Sequence, residues 1–275
     1  MKHRFFVEAG NLVGAGYSVN LLKLVFILTF SGHSLAQDQT NQLHQQAREL
    51  IQTAAEAMAE GKYKLVLDKA QRVAQLLPND PRVQQRAAEL LYRSGYPKES
   101  LPLFQQANEL SPDQAADNWQ RGIALATAGD FQQAALQFET HHKVNPDDVE
   151  NSAWYFLCVA KTADVQKAQD SLIPSRGDRR PPMMSILKML KQELKPQQVL
   201  EAARSVPAAE QKSALFYAEL YVGLYYDALG DSQISQEHLK RCVQMGMDGY
   251  MADTASVYLH HRFDHADSTD GNARR

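Results

Sequence analysis

The sequence predicts an all-α superhelical solenoid of antiparallel helix pairs, with a degenerate middle and a C-terminal capping helix. Three observations predict it. Gly61, Gly95 and Gly129 recur at an interval of 34 residues, and Pro78, Pro112 and Pro146 recur at the same interval. Small residues Ala54, Ala88 and Gly122 stand seven before each Gly, and Ala70, Phe104 and Phe138 stand nine after it. The chain is rich in Ala and Gln and almost free of β-branched runs, which favours helix over strand.

Each column has a mechanical task. Two antiparallel helices approach closely only where side chains are small, and Ala54, Ala88 and Gly122 supply that contact on the first helix of each pair. Val66, Ser100 and Ala134 supply it on the second. The glycine ends the first helix because it adopts a left-handed conformation at little cost. Tyr63 and Phe131 are expected to begin the second helix and plug the gap between helices. Pro97 takes that place in the middle repeat, as a first-turn proline is tolerated there. The prolines stop the second helix, and Asn79-Asp80, Asp113 and Asp147-Asp148 are expected to cap the next one.

The repeats fall at about 47–80, 81–114 and 115–148, with a partial unit at 149–172, and together make an N-terminal array over 37–172. Residues 173–182, with their prolines, glycine and charges, read as a loop. Residues 183–261 read as further repeat-like helices: Met183–Leu194, Pro196–Ser205, Ala208–Leu229, Asp231–Met245 and a capping helix Tyr250–His260. Residues 262–275 read as a disordered polar tail.

Composition bounds the function. The 275 residues are 44% hydrophobic and 22% charged, enough for a sizeable core, and the formal charge of −3 points away from nucleic acid. Lys2 and Arg4, an apolar stretch densest at Leu24–Phe30, and Ser34-Leu35-Ala36 predict a secretory signal over 1–36, cleaved after Ala36. The apolar run is shorter than the about 20 residues a spanning helix needs. The expected destination is the periplasm or the exterior, with no lipid anchor, since no cysteine stands directly after the run. Cys158 and Cys242 fall at core positions; export permits a disulfide, and the simpler expectation is two buried free thiols.

A 34-residue period with this pattern resembles the tetratricopeptide repeat (TPR) family, although the tryptophan and tyrosine of that family's first helix are not in their usual places. Three stretches resemble the NlpI-like branch of bacterial envelope TPR proteins: Asn118-Trp119-Gln120-Arg121-Gly122-Ile123-Ala124-Leu125 with Gly129-Asp130, Trp154-Tyr155-Phe156-Leu157 after Asn145-Pro146-Asp147-Asp148, and Phe216-Tyr217 through Gly223-Leu224-Tyr225-Tyr226 to Gly230-Asp231. The resemblance covers roughly 43–259. It implies an exported helical dimer acting as an adaptor for cell-wall hydrolases and an envelope protease.

In a TPR array the first helices line the concave surface. The register places Arg82, Gln85, Arg86, Tyr92 and Arg93 there in the second unit, Trp119 and Gln120 in the third, and Trp154 in the fourth. Arg, Tyr and Trp are the types that most often anchor interfaces, and Arg82, Arg86 and Arg93 share a helix face suited to carboxylates. The competing reading leaves the arginines solvated and makes Trp119 and Trp154 plain core. The family's clamp for terminal carboxylates also needs asparagines on neighbouring helices, and Ile51 and Ala55 stand in the preceding unit instead, so a true clamp is not expected.

His141-His142 and His260-His261 are adjacent pairs, which do not face one another on a helix, and no zinc or phosphate-loop motif accompanies them. The sequence thus predicts a non-enzymatic scaffold with no catalytic residues, no metal, no cofactor and no small-molecule substrate. Its partners are other proteins or peptides. The alternatives are a homodimeric self-assembly module, with Met183–Leu190 and Tyr217–Tyr226 as an exposed apolar face, and, less favoured, a hydrolase subunit.

Overall fold

A computed structural model describes the backbone of residues 18–264 and the side chains of 37–263. The chain divides into two compact units, residues 1–46 and 47–275. In the first unit the described residues are the opening part of a long helix, α1 (Ser18–Ala59). The expected signal segment therefore falls outside the described residues, apart from the helical backbone of 18–36. Among the described residues no helix is long and apolar enough to cross a membrane.

The second unit is built of helix pairs joined by tight turns. The end of α1 pairs with α2 (Tyr63–Leu76), α3 (Pro81–Arg93) with α4 (Pro97–Leu110), α5 (Trp119–Ala128) with α6 (Phe131–His142), and α7 (Val149–Thr162) with the short α8 (Val165–Asp170). After the irregular stretch 171–182 come α9 (Met183–Leu190), α10 (Pro196–Arg204), the long α11 (Ala208–Ala228), α12 (Ser232–Gln244) and α13 (Tyr250–Leu259). Described residues contain no strand.

The repeat columns become contacts. Gly122 of α5 lies under the ring of Phe138 on α6: a Cβ added there would sit 2.8 Å from two ring carbons. Gly223 of α11 does the same beneath Leu239 of α12, at 2.9 Å. Both pairs are sixteen residues apart, as are Ala88 and Phe104, both buried. This is the device that lets paired helices touch. Gly129 ends α5 in the left-handed region at φ 91°, with its N–H returned to the carbonyls of Leu125 and Ala126, and Gly61, Gly95 and Gly230 turn the same way.

Buried amides tie each pair to the next. Gln84 of α3, fully buried, donates from Nε2 to the carbonyls of Ala74 (2.9 Å) and Leu77 (3.1 Å) at the end of α2. Asn151 of α7 donates to the carbonyl of Phe138 on α6 at 3.1 Å. The Ala74 carbonyl lies four residues before Pro78, which has no N–H to donate to it, so the Gln84 amide supplies the donor that the helix lacks there.

Four expectations need correction. Asp80 and Asp148 cap α3 and α7, but Asp113 caps nothing: Pro112–Asp117 forms a 3-10 turn, and α5 starts only at Trp119, capped by Asn118. Tyr63 begins α2 but is 49% exposed, so it plugs no gap. Met183–Leu190 is not an exposed face, because Met183, Ile186, Leu187, Met189 and Leu190 are all buried; in α11, Leu220, Tyr221, Val222 and Leu224 are buried too. The helical character of the C-terminus extends past residue 261: His260–Asp264 makes a π-helical turn, and Phe263 is buried. Residues 265–275 of the expected tail lie outside the described residues. Cys158 and Cys242 are buried free thiols, both pushed up in pKa by burial.

Replacing Gly122 by Leu should drive a branched side chain into Phe138 and destabilise the fold by about 1–3 kcal/mol, the usual range for overpacking. The companion change Phe138→Ala should recover part of the loss. Urea unfolding of the single and double variants measures both; an additive double variant would contradict the contact.

Candidate functional site

The eight residues that the register assigns to one surface part company in the structure. Four of them gather around an open groove. The groove has a volume of about 470 Å3 and lies between α3, α4, the 3-10 turn and α5, lined by Arg82, Gln85, Arg86, Glu89, Asn118 and Gln120 among others. It exists because α5 starts late. The 3-10 turn replaces a first helical turn and leaves space between the starts of α3 and α5.

Inside the groove the amides form a ladder. Gln85 and Asn118 exchange two hydrogen bonds, Nδ2 to Oε1 at 2.9 Å and Nε2 to Oδ1 at 3.3 Å. Asn118 also donates to Asn108 Oδ1 at 2.7 Å, and Gln120 reaches Glu89 at 3.4 Å. Arg86 is paired with Glu89 at 3.1 Å. Arg82 stands exposed at the mouth, and none of the ion pairs recorded among the described residues involves its guanidinium. Among the described residues the groove therefore offers one cation, Arg82, and one carboxylate, Asp117, that are in no ion pair, one balanced pair and a row of groups that both donate and accept.

The other four lie deeper, and the expectation that they line open surface is corrected for them. Tyr92 is fully buried. Its hydroxyl donates to Thr127 Oγ1 at 3.2 Å, because that Oγ1 spends its own hydrogen on the carbonyl of Ile123. Burial pushes the Tyr92 phenol well up. Trp154 is 1% exposed, stacked on Phe138 with centroids 6.2 Å apart and edge-on to Tyr258 at 5.5 Å. Arg93 donates from Nε to Asp253 at 2.6 Å, and Trp119 meets Tyr250 edge-on at 4.9 Å.

The common cause is α13. It does not simply cap the last pair. It packs against α12 and also against α3 and α5, lying along the row of first helices. Tyr250 stacks on Tyr92 at 5.7 Å, Asp253 takes Arg93, Tyr258 meets Trp154, and beyond it His261 Nε2 donates to the Gly95 carbonyl at 2.8 Å. Arg262 lies over the ring of Phe131 at 5.1 Å. No periodicity announces a contact between residues 160 apart in the chain. The one available signal was the aromatic and acidic content of Tyr250–Tyr258 beside an unusually aromatic set of first helices.

Asp227 of α11 anchors this arrangement. Its buried carboxylate accepts from Lys161 Nζ of α7 at 2.7 Å and from the Tyr258 hydroxyl of α13 at 2.5 Å. A second polar cluster sits on α7 and the loop after α8. Arg180 holds Asp148, Asp178 and Glu150, and Tyr221 donates to Glu150. Burial raises the Glu150 carboxyl, against the lowering effect of Tyr221 and Arg180. Asp178 is thus engaged inside the fold. No group of three or more His, Cys, Asp or Glu among the described residues is placed to hold a metal ion.

These helix pairs define the class: an all-α TPR-like solenoid. No protein-family model and no curated protein sequence matches the chain. Among solved structures it is similar to MamA, residues 41 to the end, from Desulfovibrio magneticus RS-1, at 12% identity over 73% of this chain and 94% of that one, with a TM-score of 0.43. It is also similar to the TPR domain of P58(IPK), at 18% identity over 83% and 69% of the two chains, with a TM-score of 0.31. The assignment to the class rests on the helix pairs themselves and not on these scores.

Asp227→Asn should destabilise the fold by about 3 kcal/mol or more, since it leaves the Lys161 ammonium without its counter-charge. Equilibrium urea unfolding of the variant reads this directly, and an unchanged midpoint would show that the pair does not stabilise the fold.

Proposed function

We propose that the chain is a non-catalytic protein–protein interaction scaffold, an adaptor of the cell envelope, that holds an extended segment of a partner protein in the groove between α3 and α5. The observation that carries the reading is the groove itself: open, lined mainly by polar side chains, and bordered by Arg82, which is in no ion pair among the described residues. An extended peptide presents alternating N–H and C=O groups, and the amides of Gln85, Gln120 and Asn118 supply complementary donors and acceptors. Arg82, with Arg86 beside it, favours a carboxylate on that segment. Charge-assisted bonds of this kind are worth about 1.5–3 kcal/mol each.

The envelope part of the proposal is supported by the signal-like pattern of residues 1–36 and by the resemblance to NlpI-like adaptors. That resemblance points to envelope hydrolases or proteases as the class of partner.

A photo-crosslinking residue placed at Gln120 in living cells should trap a discrete set of proteins. Arg82→Glu with Arg86→Glu should reduce that set by about tenfold or more, following from one lost charge-assisted contact. The same set trapped at Glu237, on the exposed side of α12, would sink the groove as the site. N-terminal sequencing of the protein recovered from cells should begin at Gln37; a protein that retains residues 1–36 would remove the export half of the proposal.

A further inference from the structure

The row of first helices carries a second surface, separate from the open groove, and it is already filled. Its lining is Tyr92 and Arg93 of α3, Trp119 of α5 and Trp154 of α7. Its filling is α13, through Tyr250, Asp253 and Tyr258. We propose that this surface is a helix-docking site and that α13 is its resident, exchangeable occupant. The partner it fits is an amphipathic helix with an aromatic residue, a carboxylate three positions later and a second aromatic eight positions after the first. The proposal deepens the scaffold reading and rests on it.

Three observations favour an occupant that can leave. The attachment at the start of α13 is the packing of Tyr250 on Tyr92 and Trp119 and one partly exposed ion pair: Arg93 and Asp253 keep 19% and 33% of their side-chain surface in solvent. The Tyr250 hydroxyl is buried in this seam with no hydrogen-bond partner, and such an atom costs free energy whenever the helix is docked. The segment that joins α13 to α12, residues 245–249, carries glycines at positive φ at both 246 and 249. A competing helix can satisfy the same aromatic and charged groups. Asp227 works in the other direction. By holding Tyr258, it keeps the docked state dominant until a competitor arrives. A tethered helix also enjoys an effective concentration in the millimolar range for a short linker, so a free helix binds the intact chain weakly and a loosened chain well.

The probe is a fluorescent peptide of residues 247–264, read by anisotropy. It should bind the full chain bearing Tyr250→Ala and Asp253→Lys at least tenfold more tightly than the unaltered chain. Adding Arg93→Asp to the loosened chain should weaken that binding at least tenfold, and a peptide carrying Asp253→Lys should restore it. Equal binding to loosened and unaltered chains, or no binding to a loosened chain that keeps its helical circular dichroism and cooperative melt, would overturn the proposal. Hydrogen exchange on the unaltered chain gives an answer that needs no variant. Amides of Tyr250–Leu259 should exchange at least tenfold faster than those in the middle of α11, and equal protection would mean that α13 never leaves. Crosslinking at Gln120 reports on the open groove alone, so the two readings fail separately.

Discussion

The whole structure depends on how closely two helices of a pair can approach. Gly122 against Phe138 and Gly223 against Leu239 set that distance, because one partner contributes no side chain and the other a bulky one. Interiors are packed at near-crystalline density, so an added methyl group has nowhere to go. Once the pairs are fixed at this separation, the turns must be short, which the left-handed glycines provide. A single repeat exposes an apolar face on each side and is stable only when its neighbours cover it. The buried amides of Gln84 and Asn151 act at that second level, each tying a helix to carbonyls of the preceding pair.

Against this regular frame, two irregularities create the surfaces of interest. The 3-10 turn Pro112–Asp117 shortens α5 and opens the groove beside Arg82 and Gln85. The return of α13 across α3, α5 and α7 closes the other part of the same row. The two surfaces differ in chemistry. The open one is polar and lined by amides, suited to backbone hydrogen bonds. The filled one is aromatic, with one arginine, suited to a helix side. A scaffold with both would hold an extended segment and a helical segment by different physical means.

The polar interior is organised to spare its charges from standing alone. Asp227 is met by Lys161 and Tyr258, and Arg180 is surrounded by Asp148, Glu150 and Asp178. Glu219 is similar: burial raises its carboxyl, but the bonds and charges of His238 and Arg241 outweigh that and hold it below the usual range. Its stabilising contribution is present above the ordinary carboxylate pKa and is lost as pH falls through its lowered value. These clusters bind helices that are far apart in sequence, and each is made of residues that look like ordinary surface charge when read along the chain.

The sequence alone determined the helix pairs and their period, because the constraint that sets them is local: a small residue, a turn glycine and a stop proline recur within one 34-residue unit. The positions of Arg82, Gln85, Arg86 and Gln120 on one accessible face follow from the same arithmetic. The register did not reveal that Tyr92 and Trp154 are core, that Arg93 and Trp119 are engaged by α13, or that α5 begins at Trp119. Those outcomes were decided by tertiary structure, since they depend on which distant segment covers a helix face, and side-chain spacing along one helix carries no record of what packs on it from 160 residues away.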